Sequence, residues 1–478
     1  MLLYAILCLA VYGSSNAIPL TALSPHNNDI FTTGSNDSDS VCPRTRLEII
    51  WSCLATILAA SWVSVHPSMP GPNESKVKKT LRRIDIMFWA IITPELIIYW
   101  ALRQWYGARQ MEKEFVAVYR KKNDRFHWTK THGFFLQMGG FVLYEDGKAQ
   151  ILLDWNTLME YYKRGQVDLS SITESMINDH SKADGFGKGI ALLQTTWFII
   201  QCSARFFDER LVLTELELVT TALALLSFLT YILWWNKPFN AETPIPIVLS
   251  QPDSYSGESL LQTNNVGPSS PPTVPMSGKS ALVDRVSGLY HVTTRLLKSI
   301  SFKSPFWALF YVSKYIVLRI DAMLISFRLS TSSTEVPIFY SFRPSSELTI
   351  VQMRLASFSI AALFGGIHCV GWSSKIVFHT HAASLLWRIS SVVIPASPLV
   401  WIMLFAVGYA NLEYPGGNCL RRMYLFLGFV SMVFTALSIP IYVLSRVTLL
   451  IVAFVELRDV PQGALDNLQW ANVLPFIH

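Results

Sequence analysis

"LELVTTALALLSFLTYILWW" runs from Leu216 to Trp235 and carries one charged residue, Glu217, at its start. About 20 mostly apolar residues wound as a helix match the hydrocarbon thickness of a bilayer. The stretch therefore predicts a membrane-spanning helix, and it is not alone. Leu47–Val65, Ile84–Leu102, Phe186–Ala204, Leu355–Trp372, Ile389–Tyr409 and Met423–Leu444 meet the same test. Pro305–Phe327 is a poor eighth, interrupted by Lys314, Arg319 and Asp321. Val447–Leu457 is too short to span and extends the last helix past Arg446.

Composition agrees. Hydrophobic residues make up 51% of the 478 and charged residues 15%, where a soluble domain carries about 25% charged residues. The mean hydropathy is +0.34. Trp100, Trp105, Trp234, Trp235, Trp372 and Trp387 gather near the segment ends, where amphipathic rings suit the headgroup level. The expected fold class is all-α: a polytopic transmembrane helix bundle of about seven spans.

The spans divide the chain. Residues 1–17 end in small residues after a short apolar core and read as a cleaved signal peptide. The first residues lack Lys and Arg, so an uncleaved anchor is the alternative. Residues 18–46 form a polar tail with a sequon at Asn36, a glycan acceptor if lumenal. Residues 47–235 form a four-span half with a long loop, Arg103–Lys182. In that loop Met111, Phe115 and Val118 recur at helical spacing, which suits a helix on the membrane surface. Gly133–Tyr144 is apolar but short, a re-entrant piece or a hairpin. Ser171-Ile172-Thr173-Glu174 matches a capping box. Residues 236–305 hold "VGPSSPPTVPMSG" and read as a disordered linker. A three-span half, 306–446, and a tail, 447–478, complete the chain.

The net charge is +6. It sits in short basic runs that suit anionic headgroups, and no basic patch with interleaved aromatics suggests nucleic acid. A lumenal N-terminus would place Lys76, Lys78, Lys79, Arg82 and Arg83 in the cytosol, as the positive-inside rule favours. It would also place the basic Arg103–Lys130 in the lumen, which conflicts with the rule. Seven spans would leave the C-terminus cytosolic. In this topology Cys42 and Cys419 share the oxidising side and could form a disulfide. Cys53, Cys202 and Cys369 fall inside spans.

Ionisable and amide groups inside a membrane are costly and mark candidate sites. Glu95 follows Pro94 near the middle of the second span, and Asp85 lies at its end. Gln194 and Gln201 are seven apart, on one face of the third span. His368 sits in "GGIHCVGW", Gly365–Trp372. Together Glu95, Gln194, Gln201 and His368 could line a polar pocket, with Glu95 or His368 as acid or base. The plainer alternative is hydrogen bonding between helices. His368 and Cys369 are adjacent and point apart on a helix, and no spacing suits zinc. "NDHSKADGFGKG", Asn178–Gly189, lacks the Lys-Ser/Thr of a phosphate loop and reads as a lead-in to the third span. No cofactor motif is present.

Several stretches together carry a resemblance: "WSCLATILAASWVSVHP", "MFWAIITPELIIYWALRQW", "THGFFLQMGGFVLY", "KADGFGKGIALLQTTWFIIQCSAR", "GGIHCVGW" and "LRDVPQGALDNLQWANVLPFIH". The chain resembles a large uncharacterised family of polytopic membrane proteins from filamentous and mushroom-forming fungi, over most of its length outside the leader and the Pro/Ser-rich stretch. The resemblance implies a fungal source and a helical membrane bundle. It carries over no activity and no site residue. The expected function is transport or sensing of a small hydrophobic molecule within the lipid bilayer of the secretory pathway, in service of a metabolic pathway. An intramembrane enzyme on an isoprenoid or lipid-like substrate and a seven-helix receptor are the alternatives.

Overall fold

A computed structural model describes residues 44–71, 74–119, 127–145, 148–180, 185–249, 306–325, 335–344, 346–376, 378–413 and 418–468. The leader, Asn36, Cys42 and most of the Pro/Ser-rich stretch lie outside them.

Local signals set the helix starts. Helix α1 (Arg46–Ser64) opens on a capping box, in which Thr45 and Glu48 satisfy each other's backbone N–H groups. The next helices are α2 (Lys76–Ile92), α3 (Pro94–Tyr119) and α4 (Lys130–Gln137). Strands β1 (Phe141–Glu145) and β2 (Lys148–Leu152) follow, then α5 (Trp155–Lys163), α6 (Glu174–Asp179) and α7 (Gly185–Phe207). Helix α8 (Glu215–Leu233) opens on a second capping box, Thr214 with Glu217. Strand β3 (Ile245–Val248) and helices α9 (Phe306–Ile325), α10 (Glu347–Ile367), α11 (His381–Glu413), α12 (Asn418–Glu456) and α13 (Gln462–Leu465) complete the order. A 3-10 turn, His368–Trp372, extends α10.

Among the described residues five segments are long and apolar enough to cross a membrane: Arg46–Ser64, Glu215–Leu233, Leu348–Trp372, His381–Trp401 and Leu437–Glu456. Counting Lys76–Ile92 with Pro94–Ala117 as one makes six. Helix α7 forms where the third span is expected, but Gln194, Thr195, Thr196 and Gln201 keep its apolar content below that of the others. The expected second span is broken. Pro94 has no N–H to continue α2, and the residue before a proline is pushed out of the helical region. Thr93 accordingly takes φ −134° and ψ 60°, and the chain bends by 113°. A bend beyond a right angle turns the chain back, so α2 and α3 form a V.

Contacts sort the helices between two ends. At the first, Arg44 N donates to Leu465 O at 2.7 Å, Arg205 donates to the carbonyls of Gly463, Ala464 and Asp466, and His379 meets Glu456 at 3.0 Å. At the second, Lys237 meets His66 and Gln104, and β3 joins the sheet. Helix α3 runs beside α8 toward this end: Ile98 packs with Ala222 and Leu226, and Trp100 and Gln104 meet Trp234. Helices α10, α11 and α12 run antiparallel in turn, with Trp387 on His368 O and Trp401 on Ser438. The segments before α1 and after α12 therefore meet at the first end, where seven spans would have parted them.

Several further expectations change. The fold is mostly helical but not all-α: β1, β2 and β3 form a three-stranded sheet in the order β2-β1-β3. The first pair is antiparallel and the second parallel. The loop after Arg103 does not spread on the membrane. Met111 and Phe115, on α3, are buried in a second core with Trp128, Phe141, Trp155 and Ile245. Residues 236–249 belong to that unit rather than to a linker. Helix α12 runs past Arg446 to Glu456, as expected of Val447–Leu457, so the boundary drawn at residue 446 falls inside it. Lastly, the rings of Trp100, Trp234 and Trp387 are buried inside the fold rather than turned out to lipid. The capping residue near 171 is Thr173, whose Oγ1 accepts from Met176 N.

Candidate functional site

The break between α2 and α3 places Glu95 in the first turn of α3, where a carboxylate also suits the helix dipole. Its side chain is fully buried. Arg446 Nη2 donates to Glu95 Oε2 at 2.9 Å, and Tyr442 Oη donates to Glu95 Oε1. Arg446 Nε donates to Tyr442 Oη at 3.1 Å, closing a triangle. Tyr442 and Arg446 are four apart on α12 and so share a face. Ser357 on α10 donates to Glu95 O at 3.0 Å. One turn along α3, Tyr99 Oη receives Arg354 Nε at 3.3 Å and its ring lies 4.9 Å from the Arg103 guanidinium. Arg103 donates to the carbonyls of Met323 and Leu324, which end α9, and of Phe339.

His368 belongs to the same neighbourhood. The Arg446 guanidinium stands 5.1 Å from the Phe364 ring, and that ring packs edge-on 5.4 Å from His368. His368 is buried at the end of α10, and its Nδ1 makes no hydrogen bond among the described residues. Its carbonyl receives Trp387 Nε1 at 3.0 Å. Glu95 and His368 are thus brought near each other, with Arg446 and Phe364 between. Gln194 and Gln201 are half-buried on α7, which packs on α1 and α8 away from this cluster. Cys419 opens α12, a 39-residue helix about 58 Å long at 1.5 Å per residue. Cys42, its expected disulfide partner, lies outside the described residues. Among the described residues no group of three or more His, Cys, Asp or Glu could hold a metal ion.

Sequence reasoning missed Arg446, leaving it just past a span that ended at Leu444. An arginine followed by ten apolar-rich residues, with Tyr442 four before it, was the available signal. It also missed Lys237. This ammonium is buried at the second end, donating to His66 O and to Gln104 Oε1 at 2.9 Å. The indole rings of Trp234 and Trp100 lie 4.2 and 4.7 Å from it. Burial pushes its pKa well below the ordinary lysine range. The two oxygens and two ring faces favour the charged form in return. At the first end, a shallow cleft is lined by Glu215, Glu456 and Asp459. His379 on its rim is raised in pKa by its hydrogen bond to Glu456.

Residues 30–258 match a family of unknown function, DUF8562. The match takes in α1 to β3, just under half of the chain, and includes Glu95 but neither Arg446 nor His368. No curated protein and no solved structure matches the chain.

Proposed function

We propose that this chain is an integral membrane protein that moves or senses a small molecule at the break between α2 and α3. The observation that carries the reading is the Glu95–Arg446 pair, two opposite charges buried 2.9 Å apart among apolar helices. Intramembrane charges are costly, and interrupted helices at membrane depth are where transporters gather polar contacts. In this reading α1, α7, α8, α10, α11 and α12 cross, and the α2–α3 V re-enters from the second end. Lys76–Arg83 and the basic α3–α4 region then lie on one side, which removes the conflict with the positive-inside rule. That side is cytosolic. The first end is lumenal, with Asn36, the leader and the C-terminal segment. The fungal source and the metabolic role rest on sequence resemblance.

The test is expression of the chain in yeast beside Glu95→Gln, with small molecules profiled in cells and medium. A redistribution between cells and medium that Glu95→Gln abolishes is expected; identical profiles with empty vector would overturn the reading. The topology is tested separately by placing sequons at each terminus. Glycan addition at both is expected, and addition at only one would rule out six crossings.

A second reading, an intramembrane enzyme, is favoured by His368, a buried imidazole packed 5.4 Å from the Phe364 ring that borders Arg446. It requires a new compound that vanishes in His368→Ala while the protein still folds.

A further inference from the structure

Helix α2 carries a face that no other part of the described chain covers. Val77, Leu81, Ile84 and Phe88 recur at intervals of four, three and four, which aligns them in one narrow stripe. They are 68%, 60%, 43% and 52% exposed. The opposite face, Arg83, Ile86, Trp89 and Ala90, is buried. The helix turns 113° from α3. Because α3 runs beside the membrane-length helix α8, α2 lies closer to the membrane plane than to its normal.

The charges on α2 are almost all positive. Arg82 and Lys78 reach Glu74 at 3.0 and 3.5 Å, and Lys79 reaches Glu242 at 3.4 Å. Lys78, which also lies 4.0 Å from the exposed Glu335, stays 62% exposed despite these partners. Lys76 is exposed and meets no acid among the described residues. The helix's one acid, Asp85, is held by Arg319 at 2.6 Å. That pair joins α2 to α9, where Tyr311 and Tyr315 are also exposed, and exposed tyrosines suit the headgroup level. An in-plane helix with an apolar stripe, basic flanks and a tyrosine-bearing neighbour has the chemistry of a lipid interface.

We propose that the Val77–Leu81–Ile84–Phe88 face of α2 lies in the boundary between headgroups and acyl chains of the leaflet at the second end, with Lys76 and Lys78 against anionic lipid headgroups. This rests on reading the chain as an integral membrane protein. The ion pairs to Glu74 and Glu242 hold the helix to the rest of the fold. The apolar stripe sets its depth, and the remaining positive charge selects the lipid.

The test uses the full chain in vesicles of phosphatidylcholine and phosphatidylserine mixed two parts to one. A photoreactive benzoyl-phenylalanine replaces Leu81. A second sample carries it at Leu363, exposed on the membrane-length part of α10. After illumination, mass spectrometry separates lipid adducts from protein adducts. Lipid adducts at both positions are expected. At Leu81 the phosphatidylserine adduct should be enriched over its share of the vesicle by about fivefold, the effect of one lysine near a charged surface. Lys76→Gln with Lys78→Gln should remove the enrichment and keep the lipid adduct. A lipid adduct at Leu363 alone, or a cross-link from Leu81 to a second copy of the chain, overturns the proposal and leaves the membrane reading standing. Lipid adducts at neither position overturn both. A Leu81 adduct without preference overturns the assignment to anionic headgroups.

Discussion

Changing Glu95 to Gln keeps the side chain's shape and removes the charge that faces Arg446. The two groups are 2.9 Å apart, with the Glu95 side chain fully buried and Arg446 5% exposed. At a charge separation of about 4 Å and an effective dielectric near 20, their attraction is about 4 kcal/mol. Leaving one member of a buried pair without the other typically costs about 3–5 kcal/mol. Glu95→Gln and Arg446→Gln should therefore each destabilise the protein by about 3–5 kcal/mol. The double variant buries no charge at this position, so its loss should fall well short of the sum. Unfolding in mixed micelles, titrated with SDS and followed by tryptophan fluorescence, measures all four corners of the cycle. A single variant that loses under about 1 kcal/mol would behave like a solvent-exposed pair and would refute the buried geometry. The double variant also separates structure from function. If it folds as the parent does and still distributes small molecules as the parent does, the pair is a tether and not the working site.

Other changes probe the packing around the site. Gly133 faces Ala108 so closely that an added Cβ would lie 2.8 Å from the Ala108 Cα. Backbone cannot yield as a side chain can, so Gly133→Ala should cost about 1–3 kcal/mol and loosen the α3–α4 contact, read as faster hydrogen exchange in α4. Lys237→Met removes both hydrogen bonds of the buried ammonium, to His66 O and Gln104 Oε1; a loss of about 1–3 kcal/mol is expected in the same SDS titration. His132 receives Thr129 N on Nδ1 at 3.2 Å and faces Ile172 O with Nε2 at 3.0 Å, an arrangement that requires the neutral ring. Burial lowers its pKa below 6.5. Below pH 6.5 the unfolded chain thus takes up the proton more readily than the folded one, and stability falls as pH drops through this window. His132→Gln should flatten that slope in a pH series of unfolding curves.

The membrane-length helices were legible because span length and apolar content are properties of the chain itself. Glu215–Leu233 and Leu348–Trp372 lie close to where the sequence puts them. The V of α2 and α3 was not legible, although Pro94 and Glu95 both drew notice. A proline can kink a helix or end it, and only the packing of α3 on α8 and α10 selects a bend of 113°. The sheet escaped for a similar reason. Gly133–Tyr144 left a hairpin open, but β3 comes from a segment nearly a hundred residues after β2, and short strands carry little signal without their partners. Glu95 stood out as a charge in an apolar run. Arg446 did not, because the last span was ended two residues before it, at Leu444. Gln194 and Gln201 were grouped with Glu95 by depth, and depth says nothing about which helix faces which.

The late arrival of β3 affects synthesis. Phe141 in β1 pairs with Ile245, about a hundred residues later in the chain. At about 5–20 residues per second the ribosome needs about 5–20 s to supply the closing strand. For that interval the nascent unit presents the inner edge of β1 bare, a template for pairing with any other extended chain. The insertion of α7 and α8 falls within this same window. A chain stalled at either helix would carry an open edge, so mutations that slow membrane insertion are expected to show first as aggregation rather than as loss of function.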